Sequence, residues 1–115
     1  MKEKIFINAR IIDPSQKIDE TGSLILDKKG KVKAIGKKVK KSDAESSAEI
    51  FDIKGNVLIP GIVDMKAFVG EPGYEYKENF RTLSQAALAG GVTSIVTMPN
   101  TKTIIDNVSM VDFII

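Results

Sequence analysis

Histidine and cysteine are both absent from this chain of 115 residues. Without cysteine, the chain forms no disulfide and offers no thiolate as a nucleophile or metal ligand. Without histidine, it lacks the commonest metal ligand in proteins and the usual general base near neutral pH. The chain therefore performs any chemistry without these two side chains, or performs none.

Long apolar runs are also missing, because no stretch of about 18 apolar residues occurs in the sequence. The short apolar run that follows Lys4 is too brief for a secretory signal. We therefore expect no membrane span and a cytoplasmic location. The 43% hydrophobic content is typical of a globular domain.

Positive charge slightly exceeds negative charge, with a net charge of +2, and most of the excess lies in residues 28–41. A nucleic-acid-binding surface usually combines such charge with exposed aromatic rings, and this segment contains none. The favoured interpretation is that these lysines lie on the exposed edge of a β-hairpin and prevent it from pairing with another strand. We therefore expect no nucleic-acid partner.

The first half of the chain shows short β-strand patterns separated by turns. Strands are predicted at residues 4–12, 23–26, 31–35, 48–53 and 57–59. Residues 36–48 are rich in lysine, serine and aspartate, which predicts a surface loop. These patterns predict a small domain of short antiparallel strands over residues 1–57.

The second half, residues 58–115, follows a different pattern. An apolar run over 62–69, bounded by glycine and proline, is typical of a strand covered on both faces. A helix is predicted at 77–89, a strand at 92–98, and a second helix after a cap at Asp106 or Asn107. This alternation predicts an α/β fold with parallel strands. Two such units cannot cover both faces of a sheet, so we expect a truncated chain, the N-terminal piece of a longer protein.

Ligands of parallel α/β proteins bind at the carboxyl ends of the strands, and two such ends occur here, at 68–73 and 98–101. The amide of Asn100 either binds a carboxylate or imide edge, or forms an Asx turn after Pro99. Asp64 and Lys66 share one face of the first strand. We expect a supporting, structural role for Asp64, and a turn-capping role for Glu71.

Several stretches, in the right order, resemble the start of a dihydroorotase, a cyclic amidohydrolase of the metal-dependent amidohydrolase superfamily. They are Gly-Ile-Val-Asp at 61–64, Glu-Pro-Gly at 71–73, Tyr-Lys-Glu at 76–78, Ala-Gly-Gly-Val-Thr at 89–93 and Met-Pro-Asn-Thr at 98–101. The resemblance is weak over residues 1–55 and specific over 58–107. It implies a small N-terminal β-domain, part of a sandwich, followed by the first βα units of a TIM (β/α)₈ barrel. It also implies a zinc site, whose bound hydroxide attacks a cyclic amide.

The chain departs from this family at the metal site. The family's first strand reads Asp-x-His-x-His-x-Arg-Glu-Pro-Gly, in which the histidines bind metal and the arginine holds the substrate carboxylate. Lys66, Phe68 and Gly70 stand at those three positions here. A lysine ammonium has no lone pair for zinc and phenylalanine has no donor atom. We therefore expect no metal and no catalytic residue in this chain, and the resemblance implies that Asn100 binds substrate.

Two explanations of Lys66 remain open at this point. Its ammonium either takes the place of the lost cation, with Phe68 as an apolar plug, or it forms a structural ion pair with Asp64. A deprotonated, deeply buried lysine that binds metal is a third and less favoured explanation.

Two functions are compatible with these motifs. The first is a non-catalytic dihydroorotase-like protein of pyrimidine biosynthesis. Such a protein is a structural partner of aspartate carbamoyltransferase, or it self-associates. In either case a small cyclic amide or carboxylate is a possible ligand. The alternative is an active zinc-dependent cyclic amide hydrolase whose ligands lie later in a full-length chain. Whether the protein is an enzyme therefore remains open from the sequence.

Overall fold

The computed structural model describes residues 1–114, which divide into two units, one ending at Pro60 and one beginning at Gly61. Ile115, the last residue of the predicted second domain, lies outside the described residues. Within residues 1–114, no helix is long and apolar enough to cross a membrane.

The first unit is one five-stranded sheet. Its strands are β1 (Lys4–Asp13), β2 (Ile18–Leu26), β3 (Val32–Gly36), β4 (Glu49–Asp52) and β5 (Val57–Leu58). Their order is β3-β2-β1-β4, and β5 also pairs with β1. Short 3₁₀ turns follow β1 at Pro14–Gln16 and precede β4 at Lys41–Asp43.

The prediction that all these strands run antiparallel is wrong for two of them. The strands β1, β2 and β3 form an antiparallel meander, whereas β4 and β5 run parallel to β1. The segment between β3 and β4 returns the chain to the start of β1, so β4 begins where β1 begins. Because alternation of apolar residues is the same in either direction, the sequence pattern does not encode strand direction.

The core of the first unit is built from β1 and β2. Ile5, Ala9, Ile11 and Ile25 are almost completely buried. The pairing register of β1 with β2 shifts between Phe6 and Ala9, a β-bulge that leaves the intervening apolar residue half-buried.

The second unit contains β6 (Ile62–Ala67), α1 (Phe80–Ala89), β7 (Val92–Thr97) and α2 (Val108–Ile114). The strands β6 and β7 pair in parallel, which confirms the βαβ prediction for this region. The helix α1 begins three residues later than predicted, because the Asn79 side chain accepts a hydrogen bond from Thr82 N (3.0 Å) and forms a capping box. Of the two caps predicted for α2, Asn107 is the one used, since its side-chain oxygen accepts from Met110 N (3.1 Å).

The expectation that β6 is covered on both faces is wrong for the described chain. Its residues from Ile62 to Lys66 are all exposed. The sheet has only two strands in residues 1–114, and α1 packs against β7. The buried residues of this unit lie instead beyond the strand ends, at Val69, Gly70 and Thr101.

Candidate functional site

The candidate site lies where β6 and β7 end. We call residues 68–79 the first rim loop and residues 98–107 the second rim loop. All three buried residues that the structure describes in the second unit belong to these loops. The best-packed part of this unit is therefore the edge at which parallel-strand proteins bind their ligands.

The two rim loops are joined directly. The backbone N–H of Lys102 donates to the carbonyl of Pro72 over 3.1 Å. Gly73 lies so close to Lys102 that a Cβ on this glycine would overlap the Lys102 side chain, and its φ is +100°. Glycine is therefore needed at position 73, because any side chain there would separate the two loops.

Glu71 supports the start of α1. Its carboxylate accepts a hydrogen bond from Phe80 N (2.9 Å), the first residue of the helix. A negative charge at this end of a helix is favourable because the unpaired N–H groups point toward it. The carboxylate of Glu71 thus links the end of β6 to the crossover helix.

Asp64 and Lys66 contact each other through the backbone. The Asp64 carboxylate accepts a hydrogen bond from Lys66 N over 2.9 Å, and the pairing of β6 with β7 is irregular between Asp64 and Ala67. No ion pair in residues 1–114 involves Lys66, so the predicted alternative of an ion pair with Asp64 is wrong. The Lys66 side chain is exposed, and the described residues bring no carboxylate to it.

Phe68 begins a row of aromatic rings in the first rim loop. Its ring centroid lies 6.3 Å from that of Tyr74, and Tyr74 lies 6.5 Å from Tyr76. The ammonium of Lys77 sits over both tyrosine rings, at 5.3 and 5.6 Å. Phe68 is still 42% exposed despite this contact.

Gly70 adopts a left-handed conformation with φ +75°. Its carbonyl accepts from Tyr74 N over 2.6 Å. A Cβ at this position would lie 2.9 Å from Glu78 O and 3.0 Å from Tyr74 O, both of which are backbone atoms. An arginine cannot occupy position 70 while the first rim loop keeps this shape, because a side chain would collide with the loop itself.

Asn100 is exposed, and its side chain makes no hydrogen bond within residues 1–114. The Asx turn considered as an alternative is therefore wrong, and the amide is free to meet a ligand.

Sequence reasoning missed the role of the next residue, Thr101, which is only 5% exposed. Its hydroxyl lies 2.6 Å from Thr103 O and 3.3 Å from Pro99 O. The signal that could have identified it is a short polar side chain directly after a Pro-Asn turn, where a hydroxyl can bond to nearby backbone groups.

The donor set of this site does not fit zinc. No group of three or more histidine, cysteine, aspartate or glutamate residues in positions 1–114 is arranged to hold a metal ion. At the two positions that correspond to the family's metal-binding histidines, Lys66 presents an ammonium and Phe68 has no donor atom.

Comparison with known proteins identifies relatives of this chain, although no protein-family model matches it. It is 45% identical over 112 residues to a dihydroorotase of Geotalea daltonii, covering 96% of this chain and 25% of that protein. A dihydroorotase of Pelobacter propionicus is 44% identical over 108 residues, with coverages of 94% and 24%. The dihydroorotase of Aquifex aeolicus is 38% identical over 115 residues, with coverages of 100% and 26%. The chain spans about a quarter of the length of the curated relatives it matches.

Proposed function

Because the chain is related in sequence to the dihydroorotases over nearly all of its length, we propose that it forms part of a dihydroorotase-like protein of pyrimidine biosynthesis. In this proposal, residues 1–57 form the small β-domain, and residues 58–115 form the first βα units of a TIM (β/α)₈ barrel. The first metal site of that barrel is lost, and the protein is non-catalytic.

One observation carries the proposal, namely the chemistry of the three positions at the end of β6. Lys66 presents an ammonium, Phe68 contacts Tyr74, and Gly70 has no room for a side chain. Zinc requires imidazole nitrogen, thiolate or carboxylate, and none of these groups is present at the three positions. A strand built in this way does not hold the ion that would activate water.

Of the two residues that the resemblance assigns to the substrate carboxylate, the arginine is replaced by Gly70 and Asn100 is kept. The free amide of Asn100 can donate to a carboxylate or pair with the edge of a cyclic amide. We therefore propose a small carboxylate or cyclic amide as the ligand, with Asn100 as a binding residue.

A protein partner is the second part of the proposal. Several large apolar side chains of the second unit are strongly exposed, namely Met65, Leu88, Val108 and Phe113. Exposed apolar side chains of this size can be covered by a contact with protein. Aspartate carbamoyltransferase is the partner that the family resemblance favours, and self-association is the other candidate.

The alternative is an active zinc-dependent cyclic amide hydrolase that obtains its ligands from other parts of the protein. The observation that favours it is the name dihydroorotase, which relatives at 38–45% identity carry.

Metal content and turnover distinguish the two functions. We expect the purified protein, after dialysis against Zn²⁺ and removal of free ion, to contain far less than one zinc per chain and to show no hydrolysis of L-dihydroorotate. One relative that carries both histidines serves as the positive control in the same assay. Stoichiometric zinc together with turnover would overturn the non-catalytic proposal. Co-elution with aspartate carbamoyltransferase in size-exclusion chromatography tests the partner separately.

A further inference from the structure

We propose that Thr101 is the positioning residue that holds Asn100 ready for a ligand. This inference rests on the proposed ligand-binding role of Asn100. It assigns to Thr101 a task that involves no contact with the ligand itself, because its hydroxyl is directed at two backbone carbonyls of its own loop.

The first argument is the contrast between two neighbouring side chains. Asn100 is exposed and its amide has no partner in residues 1–114, whereas Thr101 is buried and its hydroxyl donates to a backbone carbonyl of the same loop. An exposed amide is presented at a defined place only when the backbone that carries it is restrained. The buried hydroxyl supplies that restraint one residue away.

The second argument is the set of hydrogen bonds that surrounds Asn100. On its N-terminal side, the carbonyl of Pro99 accepts from Thr101 N (2.9 Å) and from Ile105 N (3.1 Å). On its C-terminal side, the hydroxyl of Thr101 reaches the carbonyl of Thr103 over 2.6 Å. The second rim loop therefore closes on itself around Pro99 and Thr101, and Asn100 projects from the closed turn.

The third argument is the attachment of this turn to the first rim loop. The bond from Lys102 N to Pro72 O and the close approach of Gly73 anchor the residue that follows Thr101. Asn100 is thus presented by a turn that is tied both internally and to the end of β6. Preorganisation of this kind raises affinity because less freedom is lost when the ligand binds.

The test compares Thr101→Val, which keeps the shape and removes the hydroxyl, with Thr101→Ser, which keeps the hydroxyl. Thr103→Val is the matched control, because the Thr103 carbonyl takes part in the hydrogen bond and its side chain does not. The probe is L-dihydroorotate, titrated into the purified protein, with affinity measured by calorimetry and the Asn100 backbone amide followed by NMR.

We expect Thr101→Val to weaken binding roughly three- to tenfold, the range expected when one hydrogen bond of the binding loop is lost. Thr101→Ser and Thr103→Val should bind like the unmodified protein. In the ligand-free state, Thr101→Val should lower the ¹H–¹⁵N heteronuclear NOE of the Asn100 backbone, and Thr101→Ser should not.

Two results would overturn the inference. The first is an unchanged affinity and NOE in a folded Thr101→Val, and the second is a Thr101→Ser as impaired as Thr101→Val. If the unmodified protein binds no L-dihydroorotate, the ligand assignment of the proposed function fails, and the NOE comparison alone then decides the role of Thr101. If Thr101→Val does not fold, Thr101→Ser and Thr101→Cys decide it by the same two readouts.

Discussion

Glu3 and Lys33 form the shortest of the four ion pairs in residues 1–114, with Glu3 Oε1 2.6 Å from Lys33 Nζ. The Glu3 side chain is only 3% exposed, and its second oxygen accepts from Glu45 N over 2.6 Å. One carboxylate thus ties the start of β1 to β3 and to the segment that precedes β4.

This arrangement predicts acid sensitivity of the first unit. The hydrogen bond from Lys33, followed by that from the Glu45 backbone, lowers the pKa of Glu3 from its usual 4.5. A carboxyl group whose pKa is lower in the folded state stabilises the fold above its unfolded pKa, and this contribution is lost as the pH falls through the folded pKa. We expect the melting temperature of the first unit to begin falling below about pH 4.5 for this reason.

The variant Glu3→Gln checks this explanation. It should lower the melting temperature by several degrees at pH 7, and the difference from the unmodified protein should shrink at acid pH, where Glu3 is itself protonated. Glu49→Gln, an exposed glutamate on β4 with no side-chain partner in residues 1–114, is the control. A difference between Glu3→Gln and the unmodified protein that stays constant from pH 7 to pH 3 would contradict the prediction.

The crowding at Gly70 is testable by comparison with Gly91. Both glycines have positive φ, +75° and +81°, but a Cβ at Gly91 would meet nothing within 4 Å. Gly91→Ala should therefore lower the free energy of unfolding only by the penalty that alanine pays for a left-handed backbone, about 1–2 kcal/mol. Gly70→Ala should cost more, because its Cβ also meets two backbone oxygens. Urea unfolding of the second unit measures both, and equal losses would show that the first rim loop is not crowded at Gly70.

Restoring histidines tests whether the end of β6 corresponds to the lost metal site. The pair Lys66→His with Phe68→His should bind Zn²⁺ roughly tenfold more tightly than the pair Val63→His with Met65→His. Both pairs have the same spacing, but only the first has a member, position 66, on the strand face of Asp64, with its other member at the start of the first rim loop. Affinity is measured by competition with a chromophoric chelator, and equal affinities would show that Asp64 does not contribute. The family's arginine is not restored at position 70 in this experiment, because the conformation of Gly70 has no room for a side chain.

Local sequence signals predicted most elements of this chain, although β2 begins five residues before the predicted strand at 23–26. The strand over residues 4–12 and the helix that ends just before Gly90 follow from periodicity and from glycine at a helix end. The resemblance to dihydroorotase, which rested on several short motifs, is confirmed by relatives that match nearly the whole chain. The predicted start at Lys77 is three residues too early, because the cap formed by Asn79 and Thr82 decides where α1 begins.

By itself, the sequence determined which side-chain atoms are available as metal donors at positions 66 and 68. Phe68 cannot supply zinc with a donor atom in any fold, and Lys66 could do so only if it were deeply buried and deprotonated. Only the tertiary structure decided that β4 and β5 run parallel to β1, that Gly70 is crowded, and that Thr101 is buried beside a free Asn100. Each of these depends on contacts between chain segments, and neither periodicity nor composition encodes such contacts.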